Sequence, residues 1–494
     1  MLSEKVQLSR LLAEGFTKPS CWRLGADPAQ PKAQGIRVKR ENEEAETYGE
    51  TLDYLFGLQR FGIKLGLENI TALLEILRNP HRAFPSVHIA GSNGKGSTAA
   101  FLESILRQSG LRTGLYTSPH LVDFSERIQI SGRAIPTRNI VSLTEQIRAH
   151  VGEMERRGCF LPKGGTPASR SVLEPEKATL TFFEFTTAMM FRYFQEEKVD
   201  FAVVEAGLGG RLDATNVLDP VASLITPISR EHAQYLGETI LEIAGEKAGI
   251  IKPGRPLLTS TPQARVAALL EKRCQELKSP FLRWGRDFEA REKEPGVIHF
   301  RGRRHSYPNL RLGLAGSHQT RNAGLALAAV EVLIEAGFRI EEQHIRRGLS
   351  ETRWPGRLEL IETGARILLD GAHNPGATEV LKKALETGYP RRRLIIVLGI
   401  MADKEISAMM KDIVPRADLL FLTKVRNERA ASLDLLEAES SSYEKPYRKF
   451  GTVAEALDEA LSEAGKEDLI LVTGSLYTVG EARAHLLHRG IISL

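Results

Sequence analysis

The feature that most constrains this chain is a short glycine-rich run, Gly91-Ser92-Asn93-Gly94-Lys95-Gly96-Ser97, set between an apolar strand pattern and a helix pattern. Ser86–Gly91 (SVHIAG) reads as a buried strand. Ser97–Gln108 (STAAFLESILRQ) reads as a helix with Ala100, Phe101, Ile105 and Leu106 on one face and Gly110 as its stop. Glycines in such a turn let backbone N–H groups approach phosphate oxygens. The helix N-terminus adds a favourable dipole, and Lys95 supplies a point charge. The common pattern G-x-x-x-x-G-K-[ST] is not met, because two residues separate Gly91 from Gly94-Lys95 and Gly96 follows the lysine. A glycine turn with no ligand is the other reading of this run taken alone.

Thr113–Thr117 is the next strand, which makes a β-α-β unit and favours a parallel sheet. Asp200–Glu205 (DFAVVE) and Val221–Pro227 (VASLITP) extend the series. A second series follows Trp354-Pro355-Gly356-Arg357, with strands over Ala365–Asp370, Leu394–Gly399, Asp418–Thr423 and Asp468–Thr473. The Pro-Gly pair reads as a hinge. The fold class is therefore α/β with two domains, 46–354 and 355–494, as suits a chain of 494 residues. Residues 1–45 read as a loose extension, since Asp27–Glu46 is charged, holds Pro28 and Pro31, and shows no apolar period. Residues 161–178 (LPKGGTPASRSVLEPEKA) read as a surface loop.

The bulk properties exclude some classes. A net charge of +5 is too mild for nucleic acid as the main partner. The three cysteines, Cys21, Cys159 and Cys274, have no metal-ligand spacing and suit a reducing compartment. No apolar run approaches the roughly 20 residues that span a bilayer, and the N-terminus mixes Glu with Lys and lacks a signal-like apolar core. The expectation is a cytoplasmic protein with no membrane or nucleic-acid partner.

The glycine loop resembles that of the Mur ligase superfamily, and the longer series of blocks is similar to folylpolyglutamate synthase and dihydrofolate synthase. In order, the blocks are Leu65-Gly66-Leu67-Glu68, HIAGSNGKGST (88–98), LYTSPHLVDFSERIQISG (115–132), LTFFEFTTAMMF (180–191), VVEAGLGGRLDATN (203–216), IAGEKAGIIKPG (243–254), GSHQTRNA (316–323), WPGRLE (354–359), DGAHNP (370–375) and TGSLYTVGEAR (473–483). They cover about residues 48–490. The resemblance implies a P-loop Mur-ligase central domain and a Rossmann-like C-terminal domain that closes over the nucleotide. It implies a monomer acting on small molecules: ATP with Mg²⁺, L-glutamate, and dihydropteroate or tetrahydrofolate.

Residue by residue, it assigns Ser92, Asn93, Gly94, Lys95, Gly96, Ser97, Asn322, Arg357 and Asp370 to ATP. Ser118, Glu205 and His232 are the implied Mg²⁺ ligands. Read without the resemblance, Ser118 before Pro119 is a turn residue, Glu205 a solvated strand end and His232 a satisfied polar side chain. The family usually has Asp before this histidine; here it is Glu231, a longer carboxylate able to reorient His232 or to reach a metal through water. Lys247 matches a lysine that is often carbamylated, a reaction that needs a neutral amine and therefore burial. An ordinary surface lysine is the alternative from spacing. His373, which could instead contact phosphate, and Ser475 are the implied glutamate contacts, and Lys95, Lys247 and His373 the catalytic set. Lys64, Leu65, Gly66, Thr181, Leu212, Asp213 and Ala214 are the implied pterin contacts, with Phe182, Phe183 and Phe185 either an apolar wall or core.

The implied reaction transfers the γ-phosphoryl group of ATP to a carboxylate, and the resulting acyl phosphate is attacked by the glutamate amine. The pterin residues match the bifunctional pattern, in which both dihydropteroate and a folyl acceptor are used. The alternatives are a Mur-type peptidoglycan ligase, and a nucleotide-dependent switch without ligase activity. The blocks LTFFEF and GLGGRLDATN argue against the former.

Overall fold

The computed structural model describes Glu44, residues 46–156 and residues 180–493. Residues 1–43 of the expected extension, the loop expected over 161–178, and Cys21 and Cys159 lie outside them. The chain divides into two compact units: Met1–Phe84, Ala134–Lys198 and Leu212–Val217 form one, and Pro85–Arg133, Val199–Arg211 and Leu218–Leu494 the other.

The smaller unit is helical. Its helix Thr137–Arg156 buries Ile140, Leu143, Ile147, Val151 and Met154, an apolar stripe at helical spacing. Its helix Phe182–Glu196 starts at a capping box, in which Thr181 Oγ1 accepts from Glu184 N at 3.2 Å and Thr181 N donates to Glu184 Oε2 at 2.8 Å. Phe185 is fully buried with the Tyr54 ring edge-on at 5.7 Å, and Phe182 stacks on the exposed Phe56 at 5.8 Å. Phe185 is thus core, while Phe182 lies at the surface of that unit.

The larger unit holds an eight-stranded sheet of β1 (Ser86–Ala90), β2 (Thr113–Tyr116), β3 (Ile128–Ile130), β4 (Arg133–Ala134), β5 (Phe201–Glu205), β6 (Ala222–Ile225), β7 (Leu257–Thr259) and β8 (Phe281–Arg283), in the order β4-β3-β2-β5-β1-β6-β7-β8. From β2 to β8 the pairings are parallel. β1 and β5 are buried along their whole length, as strands covered on both faces should be. The helix after the glycine loop begins at Lys95 and runs to Gln108. Its expected single apolar face is corrected by the structure: every residue from Ser97 to Leu106 is buried. The helices His318–Glu335 and Glu342–Glu351 cover it on the side away from the sheet. Gly348 permits this, since a Cβ there would collide with the Ile105 backbone, and its carbonyl accepts from Ser104 Oγ at 2.8 Å.

A three-stranded antiparallel sheet follows, of β9 (Glu289–Glu294), β10 (Val297–Arg301) and β11 (Ser306–Arg311). The six-stranded sheet is built from β12 (Glu359–Thr363), β13 (Ala365–Leu369), β14 (Leu394–Leu398), β15 (Leu419–Thr423), β16 (Tyr447–Phe450) and β17 (Leu469–Thr473), in the order β12-β13-β17-β14-β15-β16. All its pairings are parallel except β12 with β13. Trp354–Arg357, the expected hinge, lies in sequence between the strands of the two large sheets and inside the larger unit, and Gly356 takes the left-handed φ of 70° there. The carboxyl ends of β1, β2, β5 and β6 present Gly91, Ser118, Glu205 and Pro227, Glu205 as the last residue of β5 and the others in the loops beyond their strands, at the edge where open α/β sheets bind ligands.

Candidate active site

The glycine loop leaves β1 in a conformation only glycine adopts without strain, with Gly91 at φ 143° and Gly94 at φ 92°. A Cβ on Gly91 would strike the Thr226 hydroxyl, and one on Gly94 would strike the Asn322 amide. Asn322 is fixed in turn by donating to Gln319 Oε1 at 2.9 Å. The loop is moored to β6, because Ser92 N and Asn93 N both donate to Pro227 O, at 3.1 and 3.2 Å. Lys95 folds back over the turn: its Nζ donates to Ser92 O at 3.2 Å and stands 3.7 Å from Glu205 Oε1.

Glu205, at the end of β5, is buried. Burial raises its carboxyl pKa, opposed by Lys95, by the Ser118 N–H that donates to Oε2 at 3.3 Å, and by Arg357 and Arg127. The structure thus brings Ser118 to Glu205 directly. His232, in the left-handed region at φ 48°, has its pKa lowered chiefly by burial, opposed by Glu231, and lies within electrostatic reach of Lys404 and Lys95. Among the described residues no group of three or more His, Cys, Asp or Glu is gathered for a metal. The three expected ligands would offer one hydroxyl, one carboxylate and one imidazole, a donor set of the sparse kind that Mg²⁺ takes alongside waters and phosphate oxygens.

Lys247 is buried, not a surface lysine, with its side chain 2% exposed. Its Nζ donates to Gly91 O at 2.8 Å and to Glu231 Oε1 at 3.0 Å. Burial opposes ionisation of Glu231, but Lys247 and Lys95 outweigh it and hold that carboxyl down to about 2. The extra methylene of Glu231 relative to Asp is therefore spent on Lys247, which braces the first glycine of the phosphate loop.

The β13 end supplies the other wall. Arg357 Nη1 donates to Gly356 O at 3.2 Å and lies against Gly371, within electrostatic reach of Asp370 and Glu205. Asp370 accepts from Leu358 N and Ala372 N, each at 3.0 Å, so it organises this turn. His373 Nδ1 lies 2.8 Å from Gly371 O. A carbonyl only accepts, so Nδ1 carries the hydrogen and Nε2 is the acceptor. Burial lowers the His373 pKa to about 4, so the ring is neutral. Asn374, to which the sequence assigned nothing, exchanges amide hydrogen bonds with Asn93: Asn374 Nδ2 donates to Asn93 Oδ1 at 3.0 Å and Asn93 Nδ2 to Asn374 Oδ1 at 3.3 Å. The structure also makes it the cap of the helix Pro375–Thr387, where its Oδ1 accepts from Ala377 N at 2.9 Å. Ser475 is buried and caps the helix Leu476–His488, accepting from Thr478 N at 3.0 Å.

The expected pterin residues fall in the smaller unit. There Lys64 Nζ lies 5.5 Å from the Phe61 ring centre, with Leu65 and Gly66 next along the chain. Thr181 is the helix cap described above. Asp213 is buried in a tight turn, accepting from Thr215 N at 3.0 Å and from the Thr215 hydroxyl. Ala214, beside it, is buried, and Leu212 is half-buried.

Residues 356–476 match the family described as "Mur ligase, glutamate ligase domain". The chain is 33% identical over 446 residues to a dihydrofolate synthase/folylpolyglutamate synthase of Bacillus subtilis, covering 89% of this chain and 99% of that one. It is 33% identical over 452 residues to the folylpolyglutamate synthase of Lacticaseibacillus casei, covering 89% and 99%. Among solved structures, Mycobacterium tuberculosis folylpolyglutamate synthase complexed with ADP superposes with a TM-score of 0.81 at 32% identity, covering 89% of this chain and 98% of that one. E. coli FolC in complex with DHPP and ADP superposes with a TM-score of 0.77 at 28% identity, covering 89% and 98%.

Proposed function

Because this chain belongs to the dihydrofolate synthase/folylpolyglutamate synthase family, we propose that it is an ATP-dependent ligase joining L-glutamate to the carboxylate of dihydropteroate and of tetrahydrofolate. The observation that carries this reading is the placement of Lys95, between the Ser92 carbonyl and Glu205 at the carboxyl edge of β1 and β5. Arg357 and Asn374 from the six-stranded domain reach the same edge.

A carboxylate is a poor acyl donor, so the γ-phosphoryl group of ATP is first transferred to it. The backbone of Gly91–Ser97 cradles the phosphates, and the Lys95 ammonium and Arg357 guanidinium offset the charge on the transferring group. Ser118, Glu205 and His232 would hold Mg²⁺, which would add charge neutralisation at the phosphates. The neutral glutamate amine then attacks the acyl carbon, the C–N bond forms, and phosphate leaves, taking up the proton released from the amine. His373 accepts a hydrogen bond through Nε2 and orients the amine. Ser475, deeper in that domain, supports the glutamate site through the turn it caps. Carbamylation of Lys247 belongs to this reading: the amine adds to CO₂, loses a proton, and sets an anion beside the loop in place of the ammonium. Lys64-Leu65-Gly66, Thr181 and Leu212-Asp213-Ala214 are the pterin contacts in this proposal. The three cysteines support a cytoplasmic setting.

The test is ADP release with ATP fixed, with and without glutamate, against dihydropteroate, tetrahydrofolate and a UDP-sugar peptide. The expected result is glutamate-dependent turnover with both pterin acceptors. Turnover with tetrahydrofolate alone would reject the dihydropteroate half, and acceptor-independent hydrolysis would reject the ligase.

A further inference from the structure

Gly480 stands inside the helix Leu476–His488, where alanine is the better helix former and a glycine needs a packing reason. The reason is another backbone. A Cβ on Gly480 would collide with the carbonyl oxygen of Leu121, in the loop between β2 and β3. The Leu121 side chain joins the same contact, half-buried against the core that Val479 and Ala482 form with Ile367 and Leu369 of β13. A Cβ on Gly356, in the expected hinge, would stand 3.2 Å from Leu121 Cδ2 and 3.1 Å from Val479 Cγ1. A residue of the phosphate-loop sheet is thus seated on the hinge and on a helix of the six-stranded sheet, all within the larger unit.

The loop that carries Leu121 is braced within itself. Leu121 N donates to Glu126 Oε2 at 2.7 Å, and Val122 N and Asp123 N donate to Glu126 Oε1, each at 2.9 Å. Thr117 N donates to Arg127 O at 3.0 Å and closes the base of the loop. Inside it, Arg127 Nε donates to His120 Nδ1 at 2.8 Å. A loop so bonded to itself moves as one piece. Ser118 belongs to that piece, and its N–H donates to Glu205 Oε2 at 3.3 Å. That bond is beyond the usual range and is a weak anchor by itself. The seat at Gly480, a backbone against a buried helix, is the firmer tie.

We propose that Gly480 is a positioning residue for the metal site: by admitting the Leu121 carbonyl to its helix, it fixes the β2–β3 loop so that Ser118 stands at Glu205. The inference rests on the reading of Ser118 and Glu205 as metal ligands and adds what holds the first of them. The same helix is bonded to the hinge. Arg483 Nε donates to Glu359 Oε1 at 3.2 Å, and Glu359 Oε2 accepts from Gly356 N at 2.8 Å. The seat and the hinge therefore form one bonded unit, and the six-stranded sheet sets the place of a ligand that its own strands do not carry.

The experiment uses the full chain with ADP, takes Mn²⁺ as the probe and reads free Mn²⁺ by electron paramagnetic resonance. Gly480→Ala should weaken Mn²⁺ binding about tenfold, as loss of a group that supports a ligand does. Its thermal midpoint without metal should stay near wild type, since alanine suits the helix. Leu121→Ala keeps the carbonyl but loses the apolar part of the seat, so it should weaken Mn²⁺ by a smaller factor. Ser118→Ala should weaken it as much as Gly480→Ala does, and the double variant no further, because both changes remove one contact. Wild-type Mn²⁺ affinity in Gly480→Ala would overturn the proposal, as would wild-type affinity in Ser118→Ala or losses that multiply in the double variant. Should Gly480→Ala not fold, Leu121→Ala takes its place in the cycle under the same criteria. Glutamate-dependent ADP release is followed separately. If wild type lacks it while the Mn²⁺ cycle behaves as expected, the ligase reading fails and the positioning role of Gly480 stands.

Discussion

Asn93 of the phosphate loop and Asn374 beyond β13 hold each other through two amide hydrogen bonds, of 3.0 and 3.3 Å, across 281 positions of sequence. Asn374 Oδ1 also accepts from Ala377 N at 2.9 Å and so caps the helix Pro375–Thr387. One side chain therefore serves the helix of one sheet and the loop of the other. Asn374→Asp keeps the cap but sets a carboxylate oxygen against Asn93 Oδ1. The ATP KM should rise roughly three- to tenfold, the worth of one lost hydrogen bond plus the new repulsion. The thermal midpoint should hold. Asn374→Ala, which loses the cap as well, should cost about 1 kcal/mol of stability besides. An unchanged ATP KM in the Asp variant would show that the amide exchange does not position the loop.

Lys95 begins the helix that follows the loop, and its ammonium is the cation closest to Glu205. Its aliphatic stem fills no core, so its removal acts on charge more than on packing. Lys95→Ala should lower kcat on the order of 10²–10³-fold, as removal of one preorganised electrostatic contact does, with folding intact by circular dichroism. Lys95→Arg should recover little, since a planar guanidinium does not fit a turn built around a compact ammonium. Steady-state turnover near wild type in Lys95→Ala would remove Lys95 from the phosphoryl-transfer step.

What could be read from the sequence follows the physics of each segment. β1, β5, β14 and β17 are short apolar runs buried along their whole length and bounded by Gly, Asp or Glu, so the expected boundaries lie within about one residue of the observed ones. The β9–β11 sheet was not expected. β9 (EAREKE) is half-buried or exposed except at Ala290, and β11 (SYPNLR) contains Pro308, so neither carries a strand pattern. In the helix Lys95–Gln108 the apolar residues Ala100, Phe101, Ile105 and Leu106 mark one face, yet Ser97, Thr98, Glu103 and Ser104 are buried as well. They are buried because a second layer of helices covers them, and Glu103 is satisfied by accepting from Thr113 Oγ1 at 2.7 Å. In the site, residues within one glycine motif were legible together. Pairs joined across the fold, such as Asn93 with Asn374 and Gly91 with Lys247, leave no local signal.

Lys247 offers a test of the carbamate. In the structure its amine is shared between Gly91 O and Glu231, so a carbamate must displace the Glu231 contact as it forms. Protein equilibrated with ¹³C-bicarbonate should show one slowly exchanging carbamate carbon that is absent from Lys247→Ala. That variant should be inactive and partly restored by a short carboxylic acid, which returns an anion to the space. It should also lose about 3 kcal/mol of stability, because Glu231 is left as a buried carboxylate without its partner. A fully active wild type with no carbamate carbon would mean that the ammonium form, braced by Glu231, is the working state.

His88 carries a prediction about acid stability that is independent of the chemistry. It sits in the middle of β1, fully buried, and burial followed by the Lys252 charge lowers its pKa from 6.5 to about 3. A base whose folded pKa is depressed binds fewer protons in the folded state than in the unfolded state. Between pH 6.5 and 3 the unfolded chain therefore takes up a proton that the folded chain refuses, and stability falls as the pH falls. The contribution is complete above the unfolded pKa and is lost at up to about 1.4 kcal/mol per pH unit below it. His88→Gln removes the titrating group while keeping a polar side chain of similar length. Its thermal midpoint at pH 7.5 should sit somewhat below that of wild type, and its decline between about pH 6 and pH 4.5 should be shallower, since one proton fewer is taken up on unfolding. Parallel midpoint profiles for the two proteins across that window would place the acid lability elsewhere and leave His88 with no share in it.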